Sequence, residues 1–235
     1  MNIKQLLFLF ITMIFSSCKT DKTRADGLPE LDKTPYEYVN TFMGTAPLLD
    51  EEIIGYKTPK DWRVWAGLTF PGSSLPNAMV QVSPITEYGT GAGYEYEDNE
   101  ILGFPHTNKG HWNLCNLPIL PISSGAEAPY KGTFSHDDES ASPDYYQVRL
   151  QNYDINVRLT STLRAAIHEY QYGELKDKRI LFDLGTANNH VSDWEITKVS
   201  PNELSGYQNV GRDKIHFFDQ PWEVQGICRR TFKGW

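Results

Sequence analysis

Cysteine is scarce in this chain, with three in 235 residues, at positions 18, 115 and 228. They form no Cys-x-x-Cys unit and have no histidine at zinc-site spacing, which excludes a zinc-built fold. Positive charge is also short: 22 Lys and Arg face 30 Asp and Glu, a formal net charge of −8. Phosphate recognition needs clustered cations, so this balance argues against nucleic acid or an anionic membrane surface as partner. Long apolar runs are missing too, since the run from Leu6 to Phe15 is roughly half of the ~20 residues that span a bilayer. No window carries a sustained helical stripe of apolar residues at three and four spacing. Tyr36 to Phe42 is the best helix candidate, and no internal repeat is present.

The usual catalytic signatures are absent as well. There is no Gly-x-Ser-x-Gly elbow and no EF-hand pattern. His106 and His111 have no glutamate between them and stand five apart, which excludes the zinc-protease helix. Glycine recurs at every second position through Glu87-Tyr88-Gly89-Thr90-Gly91-Ala92-Gly93-Tyr94. A dinucleotide fingerprint needs a helix to follow, whereas Tyr94-Glu95-Tyr96-Glu97-Asp98 has strand character. This loop reads instead as backbone that a ligand approaches closely.

What is present begins with an export signal. Lys4, the apolar run and the small residues Ser16 and Ser17 precede Cys18, the order of a secretory leader. Ser-Ser-Cys looks like the lipobox of bacterial lipoproteins, with Phe15 where leucine is usual. In that reading Cys18 is lipidated, and two acyl chains anchor stably where one is marginal; the plainer reading makes Cys18 the last residue of an ordinary leader. Residues 1–18 are assigned to the signal and 19–34 to a polar tether. The folded body is expected over 35–235, long enough for one large all-β domain. Cys115 and Cys228 are expected to be buried free thiols, although count alone does not exclude a disulfide.

Period-two alternation dominates the second half. Tyr145–Leu150, Ile155–Leu163 and Ala165–Tyr172 read as successive strands, with Asn152-Tyr153-Asp154 as a turn. Arg179–Leu184, Trp194–Val199, Glu203–Val210, Lys214–Phe218 and Glu223–Phe232 follow, and Ser200-Pro201-Asn202 supplies another turn. The expected fold class is an all-β antiparallel β-sandwich with few short helices. From Thr45 to Ser124 the chain is instead dense in Gly, Pro and aromatics, with short strands such as Ala78–Val82. Long irregular connections of that kind are usually functional. The acidic runs Asp50-Glu51-Glu52 and Asp137-Asp138-Glu139 read as solvated loops. The last residues read as an unfinished strand, so the chain is expected to continue beyond Trp235.

Beside the glycine loop, a second cluster is a candidate for ligand contact. His106-Thr107-Asn108-Lys109-Gly110-His111-Trp112-Asn113 gathers imidazoles, amides, an ammonium and an indole. Such groups offer donors and acceptors at distinct angles for sugar hydroxyls; the plainer reading is a turn whose histidines satisfy backbone groups. Six Trp, thirteen Tyr and eleven Phe suit stacking on sugar CH faces, but β-sandwiches are rich in aromatics anyway.

Several loop motifs agree with one family. Gly67-Leu68-Thr69-Phe70-Pro71-Gly72-Ser73, Met79-Val80-Gln81-Val82-Ser83-Pro84, Gly93-Tyr94-Glu95-Tyr96, Ile101-Leu102-Gly103-Phe104-Pro105-His106-Thr107 and Ala141-Ser142-Pro143-Asp144-Tyr145-Tyr146, continuing to Arg164 and His168, resemble the N-terminal domain of glycoside hydrolase family 92 in order and spacing. The resemblance implies a supersandwich-like β-sandwich that shapes the substrate site of a calcium-dependent, inverting exo-α-mannosidase. The two carboxylates of an inverting mechanism, and most of the calcium environment, would belong to a C-terminal toroid in the same chain. No catalytic or metal residue is therefore assigned here. The substrate contacts it implies are Tyr88, where a tryptophan is usual, with Gly89, and His106 and Thr107 of the family's His-Thr, beside Asn108 and Trp112. Asn108 and Leu68 replace usual histidines, and these changes gather on the sugar-facing side. The expected partners are an α-mannoside glycan and the toroid, with the membrane reached only through the lipid anchor. The competing expectation is a free-standing glycan-binding lipoprotein without chemistry.

Overall fold

The structure, a computed structural model, describes residues 32–58, 64, 67–90, 92–109, 113–123, 125–174, 177–211 and 226–233, with only the backbone at 108–109, 113–114, 211 and 226–233. Cys18, the signal and most of the tether lie outside the described residues, as do His111, Trp112 and the strand expected at 214–218. Two compact units divide the chain, Met1–Tyr38 and Val39–Trp235. The described part of the first is a short 3-10 turn, Pro35–Tyr38. It is fixed by Thr34, whose backbone N–H donates to Glu37 Oε2 at 2.7 Å. The helix expected over Tyr36–Phe42 is reduced to that turn, because no apolar stripe extends it.

Among the described residues of the second unit, strands far outnumber helices. A short α-helix, α1 (Glu51–Ile54), starts on Asp50, whose side chain accepts from the backbone N–H of Glu52 and Ile53. The first acidic run is thus a helix start. In the loop-rich half the strands are stubs: β1 (Ser73–Ser74), β2 (Gln81–Val82), β3 (Glu100–Ile101), β4 (Asn108–Lys109), β5 (Asn113–Leu114), β6 (Ile119–Ile122) and β7 (Gly132–Thr133). The strand expected at Ala78–Val82 shrinks to β2, and Tyr94–Asp98 contains a turn instead of a strand. Then come β8 (Glu139–Ser142), β9 (Tyr145–Leu150), β10 (Ile155–Ser161), β11 (Ala166–Tyr172), β12 (Arg179–Phe182), β13 (His190–Ser200), β14 (Glu203–Gly211) and β15 (Gly226–Lys233).

All pairings are antiparallel. Strands β8 to β11 form a meander in the order β11-β10-β9-β8, and β13, β14 and β15 form a second sheet, while β6 pairs with β12. Tight register fixes the meander: Leu159 faces Tyr146 on β9 and His168 on β11, and Val157 faces Val148 and Tyr170. Period two then puts Tyr146, Val148, Leu150, Ile155, Val157 and Leu159 on one buried face. Arg149, Arg158 and Glu169 point to the exposed other face, where Arg158 pairs with Glu169. The buried face packs on Val82, Tyr94, Ile101, Phe104, Leu120 and Ile122 to make the core. Each fully buried large side chain contributes roughly 1.5–3 kcal/mol of transfer free energy.

One acidic group joins that core. Glu139, read from sequence as part of a solvated acidic run, has a side chain only 1% exposed. It accepts from Tyr94 Oη at 2.9 Å, Tyr146 Oη at 2.6 Å and His136 Nδ1 at 2.7 Å. A buried carboxylate is tolerated only when hydrogen-bonded in this way. The hydroxyls of Tyr94 and Tyr146 are in turn pushed well above the usual phenol range, first by burial and then by the neighbouring carboxylate.

Candidate functional site

Backbone chemistry builds the loop between β2 and β3. Thr86 N–H donates to Gly93 O at 2.7 Å and Gly93 N–H to Thr90 Oγ1 at 3.0 Å, closing residues 86–93 on themselves. Gly93 has φ +84°, and a Cβ there would stand 3.0 Å from Cys115 Sγ, so only glycine fits this turn without strain. At the loop tip, half-buried Tyr88 precedes exposed Gly89. Gly89 N–H donates to Asn188 Oδ1 at 3.0 Å, which docks the tip on the connection between β12 and β13. The Tyr88 hydroxyl is pushed above its ordinary range by burial, then by Asp183 and Cys115 close by.

Cys115 lies under the loop, fully buried, and is a free thiol as expected. Burial pushes its pKa up to about 12, against a smaller opposing hydrogen bond from Asn188. A neutral buried thiol of this kind is inert. Only the backbone of Cys228 is described; it stands opposite Gln208 in the β14–β15 register.

The second candidate cluster is committed largely to holding itself together. Thr107 Oγ1 donates to Asn116 Oδ1 at 3.2 Å and accepts from Asn116 N–H at 3.1 Å. Asn116 Nδ2 passes the chain to Gln208 Oε1 at 3.3 Å, and Gln208 Nε2 donates to the carbonyls of Leu184 and Thr186 at 2.9 and 3.1 Å. Gln208 is 0% exposed, so it joins the His-Thr segment to the connection that also grips Gly89. Nε2 of His106 lies 2.6 Å from Nε2 of His168, and His168 Nδ1 lies 2.7 Å from Tyr170 Oη. His168 sits on the core face of β11, and burial lowers its pKa to about 3. Asn108 contributes described backbone only, in β4 paired with Leu114.

The structure thus ties Gly89, through Asn188, and Thr107, through Asn116 and Gln208, to the same connection between β12 and β13, with Tyr88 next to Gly89, while His106 is held by His168. Sequence reasoning missed Asn188, Asn116 and Gln208 as partners, and Tyr170 as the group behind His168. No local pattern marks them, because their bonds close across 99, 92 and 91 residues as well as short spans. The arrangement sets hydrogen-bond donors and acceptors beside one half-buried aromatic ring. Burial holds the Tyr88 hydroxyl and the Cys115 thiol protonated and the His168 imidazole neutral at neutral pH, whereas a general acid or base needs a pKa near the working pH. Among the described residues no three His, Cys, Asp or Glu groups converge as a metal would require. No helix among them is long and apolar enough to cross a membrane.

The sequence matches the glycosyl hydrolase family 92 N-terminal domain over residues 38–224. No curated protein matches it. Among solved structures, the chain is similar to a family 92 α-mannosidase from Bacteroides thetaiotaomicron in complex with mannoimidazole, with TM-score 0.63 and 20% identity, covering 85% of this chain and 29% of that one. It is also similar to an inverting family 92 mannosidase of the same organism, with TM-score 0.59 and 25% identity, covering 77% of this chain and 23% of the other. The chain therefore spans under a third of the length of the enzymes it matches.

Proposed function

Because the chain belongs to glycoside hydrolase family 92 as its N-terminal domain, we propose that it shapes the substrate site of an exo-acting, inverting α-mannosidase held at the bacterial envelope through Cys18. The carboxylates that protonate the leaving oxygen and activate water would come from a catalytic domain further along the same protein, as would the residues for calcium. The Tyr88–Gly89 tip carries this reading. It presents a half-buried aromatic ring beside exposed backbone, on a loop whose Gly89 is held by Asn188, from the connection that Gln208 also binds. Tyrosine offers an apolar face to the CH side of a pyranose and a hydroxyl that stays protonated, able to donate to the sugar. Rigid bracing matters because a site that must be ordered on binding loses affinity to that ordering.

Replacing the ring tests the reading in the full-length protein. Tyr88→Ala is expected to lower kcat/KM on an α-mannobioside by about 10- to 100-fold, which corresponds to roughly 1.4–2.7 kcal/mol of lost transition-state binding, without moving the unfolding midpoint. An unchanged kcat/KM removes Tyr88 from the site, and absence of any mannosidase activity in the parent removes the reading. The anchor is tested alongside: Cys18→Ser is expected to abolish metabolic labelling by palmitate and to release the protein from membranes.

A further inference from the structure

A second cleft, built from elements other than the Tyr88 loop, opens on the side of the β3–β7 pair. It encloses about 380 Å³ between Glu100, Glu127, Lys131 and Asn152, with Ala126 and Pro129 on one wall. That volume falls within the range of small-ligand sites.

Its polar groups stand on a fixed frame. Glu100 and Thr133 face each other in the β3–β7 register. Asn152 Oδ1 accepts from Thr133 N–H at 2.9 Å and its Nδ2 donates to Lys131 O at 2.8 Å, so the turn after β9 clamps the backbone on both sides of Gly132. A Cβ on Gly132 would meet Leu150 Cδ2 at 2.7 Å, so this segment is pressed against the core with no room to shift. On the frame, Lys131 Nζ meets Glu100 Oε2 at 2.7 Å, with side chains 37% and 43% exposed. That bond uses one of three ammonium protons and one of two carboxylate oxygens. Among the described residues no further partner is recorded for either group, and none for exposed Glu127 at the rim.

The cleft is open and mainly polar, and offers a free donor at Lys131 and a free acceptor at Glu100 side by side, a second acceptor at Glu127, and a small apolar patch at Ala126 and Pro129. Two carboxylates against one ammonium disfavour phosphate, sulfate or a carboxylate ligand. Adjacent hydroxyls on a sugar ring fit the pattern: one donates to Glu100 while its neighbour accepts from Lys131, and the ring's CH face lies on Ala126 and Pro129. We propose that this cleft is a second glycan-binding site, taking the vicinal hydroxyls of a neutral hexose within a longer chain. Its role would be to hold a polymeric substrate by two points, raising the effective concentration of chain ends at the first.

The test uses the full-length protein and yeast α-mannan as probe, read by retardation in mannan-containing native gels. Lys131→Met and Glu100→Gln are each expected to weaken retardation at least fivefold, and Glu127→Gln, an exposed change that leaves the frame untouched, two- to threefold. Hydrolysis of an aryl α-mannoside, too small to reach a second point, should stay at the parent rate in all three. Tyr88→Ala should show the opposite pattern, losing hydrolysis while keeping retardation. Parental retardation in Glu127→Gln together with either of the other two overturns the proposal, and so does retardation lost only in Tyr88→Ala. Because retardation needs no turnover, the cleft is judged separately from the mannosidase reading.

Discussion

The meander of β8 to β11 and the loop-rich segment from β1 to β6 belong to one compact unit but are held by different forces. In the meander, side-chain alternation and register place six apolar residues on one face, and burial does the rest. In the loops five of the six strands are two residues long, and beside buried side chains such as Val82 and Phe104 the chain is held by bonds between backbone and distant side chains, as with Asn188 on Gly89 and Gln208 on Leu117. Burial is non-directional and tolerates substitution of like for like. A hydrogen-bonded network fixes loop positions closely, and loses them when one member goes. The Tyr88–Gly89 tip is held in the second way, which suits the proposed site, where an aromatic ring and exposed backbone must stand in fixed relation.

Glu139 is where the two regions are tied, and the largest effect is expected there. It opens β8 of the meander, yet one of its donors, Tyr94, belongs to the loops. Glu139→Ala leaves three donors without their acceptor and is expected to destabilise the domain by about 3–5 kcal/mol, the scale for breaking a buried charged network. Glu139→Gln keeps one acceptor oxygen and should cost less. Urea unfolding measures both. If either region unfolds without the other in Glu139→Ala, the tie is local; a loss under 1 kcal/mol means it is not a tie at all.

How far each region could be read from sequence follows from the same contrast. Tyr145–Leu150 was expected as a strand and is β9 to the residue, and Ile155–Leu163 and Ala165–Tyr172 differ from β10 and β11 only at their ends. Alternation is a local signal, so local reading finds it. The antiparallel β-sandwich class likewise follows from the strands and agrees with the structural likeness to family 92 enzymes. Glu139 was misread because an acidic run was judged by its neighbours in sequence, while its donors come from positions 94 and 146. Tyr94–Asp98 looked like a strand by composition, but Asp98 N–H bonds back to Glu95 O at 3.1 Å and turns the chain. Tyr88 and Gly89 were singled out through motif resemblance, and no pattern in the chain announces that Asn188 would hold Gly89.

A smaller and more local effect is expected at Gln208. Gln208→Leu keeps the bulk of a 0% exposed side chain but removes its bonds to Asn116, Leu117, Leu184 and Thr186. The expected loss is about 2–3 kcal/mol, the scale of stranding buried partners. Amide hydrogen exchange should rise in residues 83–93 and 183–188 while β9 and β10 stay protected. Uniform deprotection of the meander along with the loops would show that the two regions share one source of stability after all.

The smallest effect concerns pH and separates the regions by chemistry. His168 lies on the meander's buried face, opposite Leu159, with the imidazole of His106 and the hydroxyl of Tyr170 as its polar neighbours. Its pKa is about 3 in the fold, below the ordinary 6.5, because burial disfavours the imidazolium. The unfolded chain therefore binds the extra proton between roughly pH 6.5 and pH 3, so stability falls as pH drops through that window. With His168 only partly buried by surface area, a loss of about 1–2 kcal/mol between pH 7 and pH 5 is expected, somewhat under the limit of about 1.4 kcal/mol per unit. His168→Gln retains a hydrogen-bonding group without titrating in this range, and the difference between parent and variant should flatten by that amount. Above pH 5 few carboxylates contribute, so the comparison isolates the imidazole. An NMR titration in which the His168 ring protonates near pH 6.5 would show that β11 admits water to this position and that the meander's buried face ends before it.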